Sequence, residues 1–242
     1  MFYGYDPTYI LVIIGAILSM IASSFVQSTY SKYSRVQSRT GMTGAQAAQR
    51  ILQMSGISDV RIEHVSGKLT DHYDPSQKVV RLSDSVYGST SVAAIGVAAH
   101  ECGHAIQDAR GYTPLVIRSA IVPIVNICSN ISWIFIIIGL VVTGSAKVAT
   151  RHGYVSVSSL ILTIGIILFS ATVIFQFVTL PVEINASKRG LAILKDTGIL
   201  NNEELKGAKK VLTAAAFTYI ASTISAILSL LRIILLSRRR ND

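Results

Sequence analysis

The stretch Val97-Ala98-Ala99-His100-Glu101-Cys102-Gly103-His104-Ala105-Ile106-Gln107 carries a His-Glu-x-x-His pattern inside an apolar segment. On an α-helix, positions four apart lie on one face, one turn from each other. The imidazoles of His100 and His104 can therefore hold one zinc ion. Glu101 lies at the flank of that face, where its carboxylate can reach a metal-bound water without displacing it. The pattern indicates a zinc hydrolase in which the metal is the Lewis acid and Glu101 is the general base.

The motif is too rare to be dismissed as chance. With 5 His in 242 residues and equally few Glu, random placement would give such a triple roughly 0.002 times per chain. The alternative is a buried helix with two incidental histidines. Cys102 points away from His100 on the helix, so we expect it to be a small core residue and not a ligand of the same ion.

The composition predicts an integral membrane protein. Half of the residues are hydrophobic and the mean hydropathy is +0.51. Four uncharged runs are long enough to cross a bilayer, at residues 9–27, 119–146, 153–182 and 211–231. The expected fold class is a mainly α membrane protein with about four transmembrane helices and a small α+β, zincin-like polar domain that carries the His-Glu-x-x-His helix.

These runs divide the chain into five expected segments. The first run lacks a charged leading segment and a clear cleavage site, so we interpret it as a retained anchor and not as a signal peptide. The segments are an N-terminal transmembrane anchor (1–31), a polar metallopeptidase domain (32–113), two transmembrane helices (114–182), a polar segment with the third zinc ligand (183–210), and a C-terminal transmembrane helix with a basic tail (211–242).

The polar domain is expected to have the order helix, strand, strand, helix. A threonine-capped helix is predicted at 43–54, strands at 60–65 and 78–82, a turn at 71–75, and the metal helix at 91–109. A strand beside the metal helix can pair with an extended peptide substrate, and 78–82 is the candidate. The alternative is that this strand only packs the domain.

A catalytic zinc ion usually has three protein ligands and an open position. His152 would lie across the membrane from His100 if the second and third runs both cross fully. Glu183 instead emerges at the end of the third run, close to the membrane surface, and is our predicted third ligand. Ser187 shares its helical face and is a candidate hydrogen-bond partner for a zinc-bound histidine.

Other polar residues are weaker candidates. His64 and His72 are alternative ligands, and either of them, or Tyr73, is a candidate to stabilise the oxyanion. A structural hydrogen bond is the alternative for all three. Glu203 and Glu204 lie in a polar segment that is typical of a helix cap.

Five segments of the chain match a known family: Phe2-Tyr3-Gly4-Tyr5-Asp6-Pro7, Leu69-Thr70-Asp71-His72-Tyr73-Asp74-Pro75, Leu82-Ser83, Val97 to Gln107, and Leu180-Pro181-Val182-Glu183 into Ala186-Ser187. Through them the chain resembles the YugP-type neutral zinc metallopeptidases of bacterial membranes. The resemblance covers nearly the whole chain. The chain is more distantly similar to the HtpX and CAAX-prenyl membrane proteases, which carry a downstream Glu ligand followed by Ala-Asp. Here Ala186-Ser187 stands in place of Ala-Asp, which affects the expected partner of the ligands and not the ligands themselves.

The distribution of charged residues indicates the location of the protein and its orientation in the membrane. The net charge of +9 is explained by residues beside the membrane, and no aromatic–basic interleaving suggests nucleic acid. Ten Lys or Arg lie near the membrane on the catalytic side and five on the other, although a terminal Arg cluster is among the five. The expected location is a multi-pass cell-membrane protein with its active site on the cytoplasmic side. The expected partners are a peptide or membrane-protein substrate and the lipid bilayer; the oligomeric state is undetermined.

The predicted function is a membrane-embedded zinc endopeptidase. His100, His104 and Glu183 bind Zn²⁺, and Glu101 deprotonates the zinc-activated water and passes the proton to the leaving amine. Two alternatives remain open: a non-proteolytic membrane scaffold or adaptor with a structural zinc site, and another zinc-dependent amide hydrolase. A channel or transporter is disfavoured because the second and third runs contain no charged relay.

Overall fold

A computed structural model of the chain describes residues 6–142, 147–150 and 153–241. His152 and residues 2–5 of the segment that resembles the family lie outside the described residues. Helices dominate the structure, and two small sheets accompany them. In chain order the elements are α1 (Tyr9–Tyr33), α2 (Gly44–Met54), β1 (Arg61–Val65), β2 (His72–Asp74), β3 (Val79–Ser83), α3 (Val92–Ala109), α4 (Thr113–Val141), β4 (Lys147–Thr150), β5 (Gly153–Ser156), α5 (Val157–Asp196) and α6 (Asn202–Asn241).

Four of the described helices, α1, α4, α5 and α6, are long and apolar enough to cross a membrane. This confirms the predicted number of spans but corrects their limits. The second and third runs were expected to reach 146 and to begin at 153, whereas α4 ends at Val141 and α5 begins at Val157. Between them, β4 and β5 form an antiparallel pair with Val148 opposite Val155. The β-branched residues of this segment are typical of strands, which is consistent with a strand pair in place of longer helices.

One compact unit of the fold comprises Met1–Met20, Arg118–Val178 and Tyr219–Asp242. Its core is a small cluster of buried apolar side chains from α4, α5 and α6, including Ile136, Leu162 and Ile233. Many other large apolar side chains of these helices are exposed, as Ile124 and Ile167 illustrate. Such an apolar surface is typical of helices that face lipid.

The second compact unit comprises Ile21–Ile117 and Thr179–Thr218. Its core packs α2, α3 and the three-stranded sheet with the end of α5 and the start of α6. Ile51, Leu82, Ile95, Ile106 and Leu194 are among its fully buried side chains. This unit contains the His-Glu-x-x-His segment.

The sheet of this second unit has the strand order β1-β3-β2. β1 is parallel to β3, and β2 is antiparallel to it with Tyr73 opposite Val80. The predicted turn at 71–75 is therefore wrong in its central residues, which form β2. The prediction that the strand at 78–82 pairs with a substrate is also wrong. This strand is β3, which has a neighbouring strand on each side and therefore no free edge for a peptide.

The caps follow the sequence prediction closely. Thr43 caps α2 in a complete capping box with Gln46, and the Ser91 side chain accepts from the Ala94 backbone N–H at the start of α3. Asn201 accepts from the backbone N–H groups of Glu203 and Glu204 at the start of α6. These side chains satisfy N–H groups that have no partner within their helices.

Helices α3 and α5 touch through their backbones at two glycines. A Cβ atom placed on Gly103 would lie 2.3 Å from the Ala186 carbonyl oxygen, and one on Gly190 would lie 2.5 Å from the Ala99 carbonyl oxygen. No side chain larger than hydrogen fits at these distances without movement of a backbone. The two glycines therefore determine how closely α5 approaches the His-Glu-x-x-His helix.

We predict that Gly190→Ala destabilises the protein by about 1–3 kcal/mol, because the added methyl group overpacks a contact with backbone atoms. Gly88→Ala is the matched control, since no atom lies within 4 Å of its added Cβ. Thermal unfolding of both variants in the same detergent measures the difference. Equal unfolding midpoints for the two variants would contradict a tight contact between α3 and α5.

Candidate metal centre

Three ligand-type side chains converge where α3 and α5 meet. His100 and His104 come from successive turns of α3, and Glu183 comes from α5. The Nε2 atoms of His100 and His104 lie 3.3 Å and 3.5 Å from the Glu183 Oε2 atom. One candidate ligand atom from each residue lies within 4.8 Å of the other two. In the described part of the chain, this is the one group of three or more His, Cys, Asp or Glu side chains with such a spacing.

A glutamine determines which nitrogen of His104 faces the cluster. The Gln107 Nε2 atom donates to the Val182 carbonyl oxygen at 2.8 Å, so its Oε1 atom must be the one that faces His104. That oxygen lies 3.0 Å from the His104 Nδ1 atom. Because an amide oxygen only accepts, His104 carries its proton on Nδ1 and presents the lone pair of Nε2 to the cluster.

Two further side chains hold Gln107 in place. Its Nε2 atom also donates to the Asn185 Oδ1 atom at 3.0 Å, and that oxygen accepts from the Arg189 Nε atom at 2.6 Å. Arg189 packs over the ring of Tyr112. The guanidinium group cannot accept a hydrogen bond, so it fixes the amide orientation of Asn185 and, through it, that of Gln107.

Ser187 takes the corresponding place beside the other histidine. Its Oγ atom lies 3.0 Å from the His100 Nδ1 atom, where the hydroxyl oxygen can accept a hydrogen bond from Nδ1–H and leave Nε2 with its lone pair. Ser187 lies one helical turn after Glu183 on α5, as the sequence predicts. Polar contacts of this kind orient histidines that bind a metal.

Glu101 lies next to the cluster and is nearly inaccessible, with 7% of its surface exposed. Burial raises the pKa of its carboxyl group to about 7, although His100 and the backbone N–H of Tyr73 act in the opposite direction. Glu183 and Asp71 contribute to the increase. A carboxyl group that titrates near neutrality is suited to accept a proton and to release it again.

His64 and His72 lie outside the three-residue cluster. The His64 Nε2 atom is 2.6 Å from Asp84 Oδ1. His72 Nδ1 is 2.9 Å from the carbonyl oxygen of Thr70, and its Nε2 atom is 3.4 Å from Arg81. Both histidines are exposed. These contacts favour the structural alternative for both.

The Tyr73 hydroxyl is similarly engaged away from the cluster. It donates to the Asp108 Oδ2 atom at 2.7 Å, and Lys78 donates to the same oxygen at 2.6 Å. Burial, together with the contact with Asp108, raises the pKa of the Tyr73 phenol. The part of Tyr73 that faces Glu101 is its backbone N–H and not its hydroxyl.

The sequence analysis does not identify the residues that orient His104. Gln107 follows the second histidine by three positions, so helical spacing places it beside that ring and could have identified it. Asn185 and Arg189 follow Glu183 on α5, and no sequence signal connects them to α3. Their role depends on the contact between the two helices.

Comparison with known proteins identifies a family and a relative of this chain. The protein family described as "Putative neutral zinc metallopeptidase" matches residues 8–238. The chain is 43% identical over 225 residues to the "Putative membrane protease YugP" of Bacillus subtilis (strain 168), an alignment that covers 93% of this chain and 94% of that protein. No solved structure matches.

The relative's description as a membrane protease and the four long apolar helices together place this protein in a membrane. The family name implies zinc, and the cluster of two histidines and a glutamate is a possible site for it. The match over nearly the full length and the high identity establish the assignment. The chain therefore belongs to the family of putative neutral zinc metallopeptidases.

Proposed function

We propose that the protein is a membrane-embedded, zinc-dependent endopeptidase with His100, His104 and Glu183 as its zinc ligands. The observation that carries this proposal is the convergence of two imidazole nitrogens and one carboxylate oxygen within 4.8 Å of one another. Two histidines and a glutamate are a ligand set that occurs in catalytic zinc sites. The resulting architecture would be a zincin-like domain attached to four membrane helices.

The chemistry of the donors fits zinc. Ser187 contacts the Nδ1 atom of His100 and Gln107 contacts that of His104, so both histidines present their Nε2 atoms to the same point. Glu183 has only 2% of its surface exposed and supplies negative charge at that point. Zinc bound there would polarise the scissile carbonyl group and lower the pKa of a water molecule to near neutrality.

Glu101 supplies the proton transfers. It lies beside the ligands, and burial raises the pKa of its carboxyl group to about 7. In the proposed reaction its carboxylate takes a proton from the attacking water as the oxygen bonds to the scissile carbon. The same proton then passes to the amine nitrogen as the carbon–nitrogen bond breaks, which returns Glu101 to its charged form.

A structural zinc site is the main alternative. Such sites usually have four protein ligands, whereas catalytic sites keep one position open. Among the described residues, no fourth His, Cys, Asp or Glu belongs to the cluster. This favours an open site over a non-proteolytic scaffold or adaptor. Another zinc-dependent amide hydrolase shares the same ligands, so substrate tests must separate it from a peptidase.

The strand that we propose for substrate pairing is β2. It lies at the edge of the sheet order β1-β3-β2, and the backbone N–H of Tyr73 faces Glu101. An extended peptide or membrane-protein segment that pairs with such an edge would bring its backbone beside the general base. Asp108 holds Tyr73 and Lys78 and so anchors β2 to the last turn of α3.

We place the active site on the cytoplasmic side of the cell membrane. More Lys and Arg residues flank the expected membrane spans on the side of the metal cluster than on the other side. Positively charged residues near membrane spans are concentrated on the cytoplasmic side. The lipid bilayer is thus a direct partner of the enzyme, and its substrates are peptides or membrane proteins.

The first prediction from the proposed function concerns the general base. Glu101→Gln removes the proton acceptor but leaves the ligands in place, so zinc content should be unchanged and casein cleavage should fall by at least about 100-fold. Glu203→Gln changes a carboxylate whose side chain is 81% exposed on α6 and serves as the control. Full casein cleavage by Glu101→Gln would disprove the proposed mechanism.

The second prediction concerns the ligands. Glu183→Ala and His100→Ala should each lose zinc together with activity, because each removes one of three protein donors. Metal content by mass spectrometry, measured on the same samples as casein cleavage, tests both losses. Zinc retained without Glu183 would show that another residue is the third ligand. A fully loaded wild-type site that cleaves no substrate would support the scaffold.

The third prediction concerns the glutamine that orients His104. Gln107→Leu keeps the side-chain volume but removes the acceptor for the Nδ1 proton, so zinc affinity should fall about 10- to 100-fold. Gln49→Leu, at an exposed position on α2, is the control. Competition with a chromophoric zinc chelator measures both affinities. An unchanged zinc affinity of Gln107→Leu would show that the contact between Gln107 and His104 does not affect metal binding.

A further inference from the structure

A cavity of about 570 Å³ lies between the end of α1 and the beginning of α6, remote from the metal cluster in sequence. Its walls come from the last turns of one predicted membrane span and the residues that precede another. Phe25, Lys32 and Tyr33 line it from α1, and Lys206, Lys209 and Lys210 line it from α6. All of these residues belong to the same compact unit.

The charge of this cavity is strongly positive. Four lysines line it, and none of its lining residues is acidic. Lys206 has a carboxylate partner, Glu203, at 2.7 Å. Within the described ranges, Lys32, Lys209 and Lys210 have no carboxylate partner, and Lys32 lies over the ring of Tyr33. Three ammonium groups at one opening concentrate positive potential there and attract an anion.

One wall of the cavity carries Phe25, which is 47% exposed. Phe217 is not a lining residue, but it is 37% exposed and extends this apolar wall, since its ring forms an edge-to-face pair with that of Phe25 with centroids 6.3 Å apart. Both residues lie on helices that are candidate membrane spans. An apolar wall that continues into the membrane below a cluster of ammonium groups matches a molecule with an anionic head and a hydrocarbon tail.

We propose that this cavity binds an anionic phospholipid, with the phosphate group between Lys32, Lys209 and Lys210 and an acyl chain along Phe25 and Phe217. A basic pocket at the membrane surface is a typical binding site for lipid phosphates. A free soluble phosphate would use the lysines and leave the apolar wall uncovered, so the lipid is the better match. The site requires no peptidase activity and is independent of the proposed function.

Native mass spectrometry of the full-length protein in detergent tests the proposal. The probes are phosphatidylglycerol and phosphatidylcholine with identical acyl chains, titrated separately. We expect phosphatidylglycerol to bind at least tenfold more tightly. The triple variant K32Q/K209Q/K210Q should lose this preference, with affinity for phosphatidylglycerol reduced on the order of 100-fold, since a basic residue near the surface contributes about fivefold. Equal affinities of the wild type for both lipids would overturn the proposal.

The control is the triple variant R35Q/K188Q/K195Q, which removes the same charge from exposed residues outside the cavity. This variant should keep the preference for phosphatidylglycerol. An equal loss of that preference in both triple variants would show general electrostatic attraction and would contradict a specific site. Thr213 also lines the cavity, so Thr213→Trp should weaken lipid binding at unchanged charge. Unaltered binding in Thr213→Trp, or displacement of the lipid by equimolar inorganic phosphate, would contradict binding inside the cavity.

Discussion

The backbone contact between α3 and α5 is the constraint on which the candidate site depends. Gly103 and Gly190 allow each helix to approach the carbonyl oxygens of the other. At that separation, a carboxylate on α5 reaches two imidazoles on α3. A methyl group at either position would have to push the helices apart, and the Glu183 Oε2 atom, now 3.3 Å and 3.5 Å from the two Nε2 atoms, would move with its helix.

Polar residues around this contact form a connected hydrogen-bond network, in which His104 and Gln107 are buried and Asn185 and Arg189 are half-buried. Arg189, Asn185, Gln107 and His104 follow one another in a chain in which each donor meets an acceptor. Buried polar groups are costly unless they are paired, and a fully satisfied network holds its members in one arrangement. The network therefore holds the His104 ring in one orientation, as a preorganised metal ligand requires.

The membrane helices have a second role in this arrangement. α5 continues from its apolar part into the segment that carries Glu183 and Ser187, without a break in the helix. α6 begins with polar residues and continues into its apolar part. The polar unit is thus built partly from the ends of helices that can cross the bilayer. The proposed lipid site uses the end of α1 and the start of α6.

The sequence by itself predicted the metal site and determined most of the local structure. The spacing of His100, Glu101 and His104 identified the metal helix, since helical periodicity alone places the two histidines on one face. The apolar runs predicted the four long helices, and Thr43 and Ser91 marked helix starts. Glu183 and Ser187 were also predicted, because the two intervening runs return the chain to the metal side. Only the tertiary structure decided the sheet order, which makes β3 central and β2 the edge, and the contacts of Gln107 with Asn185 and of Tyr73 with Asp108. Those contacts join residues that are 35 or more positions apart in the chain, and periodicity carries no information about which segments pack together.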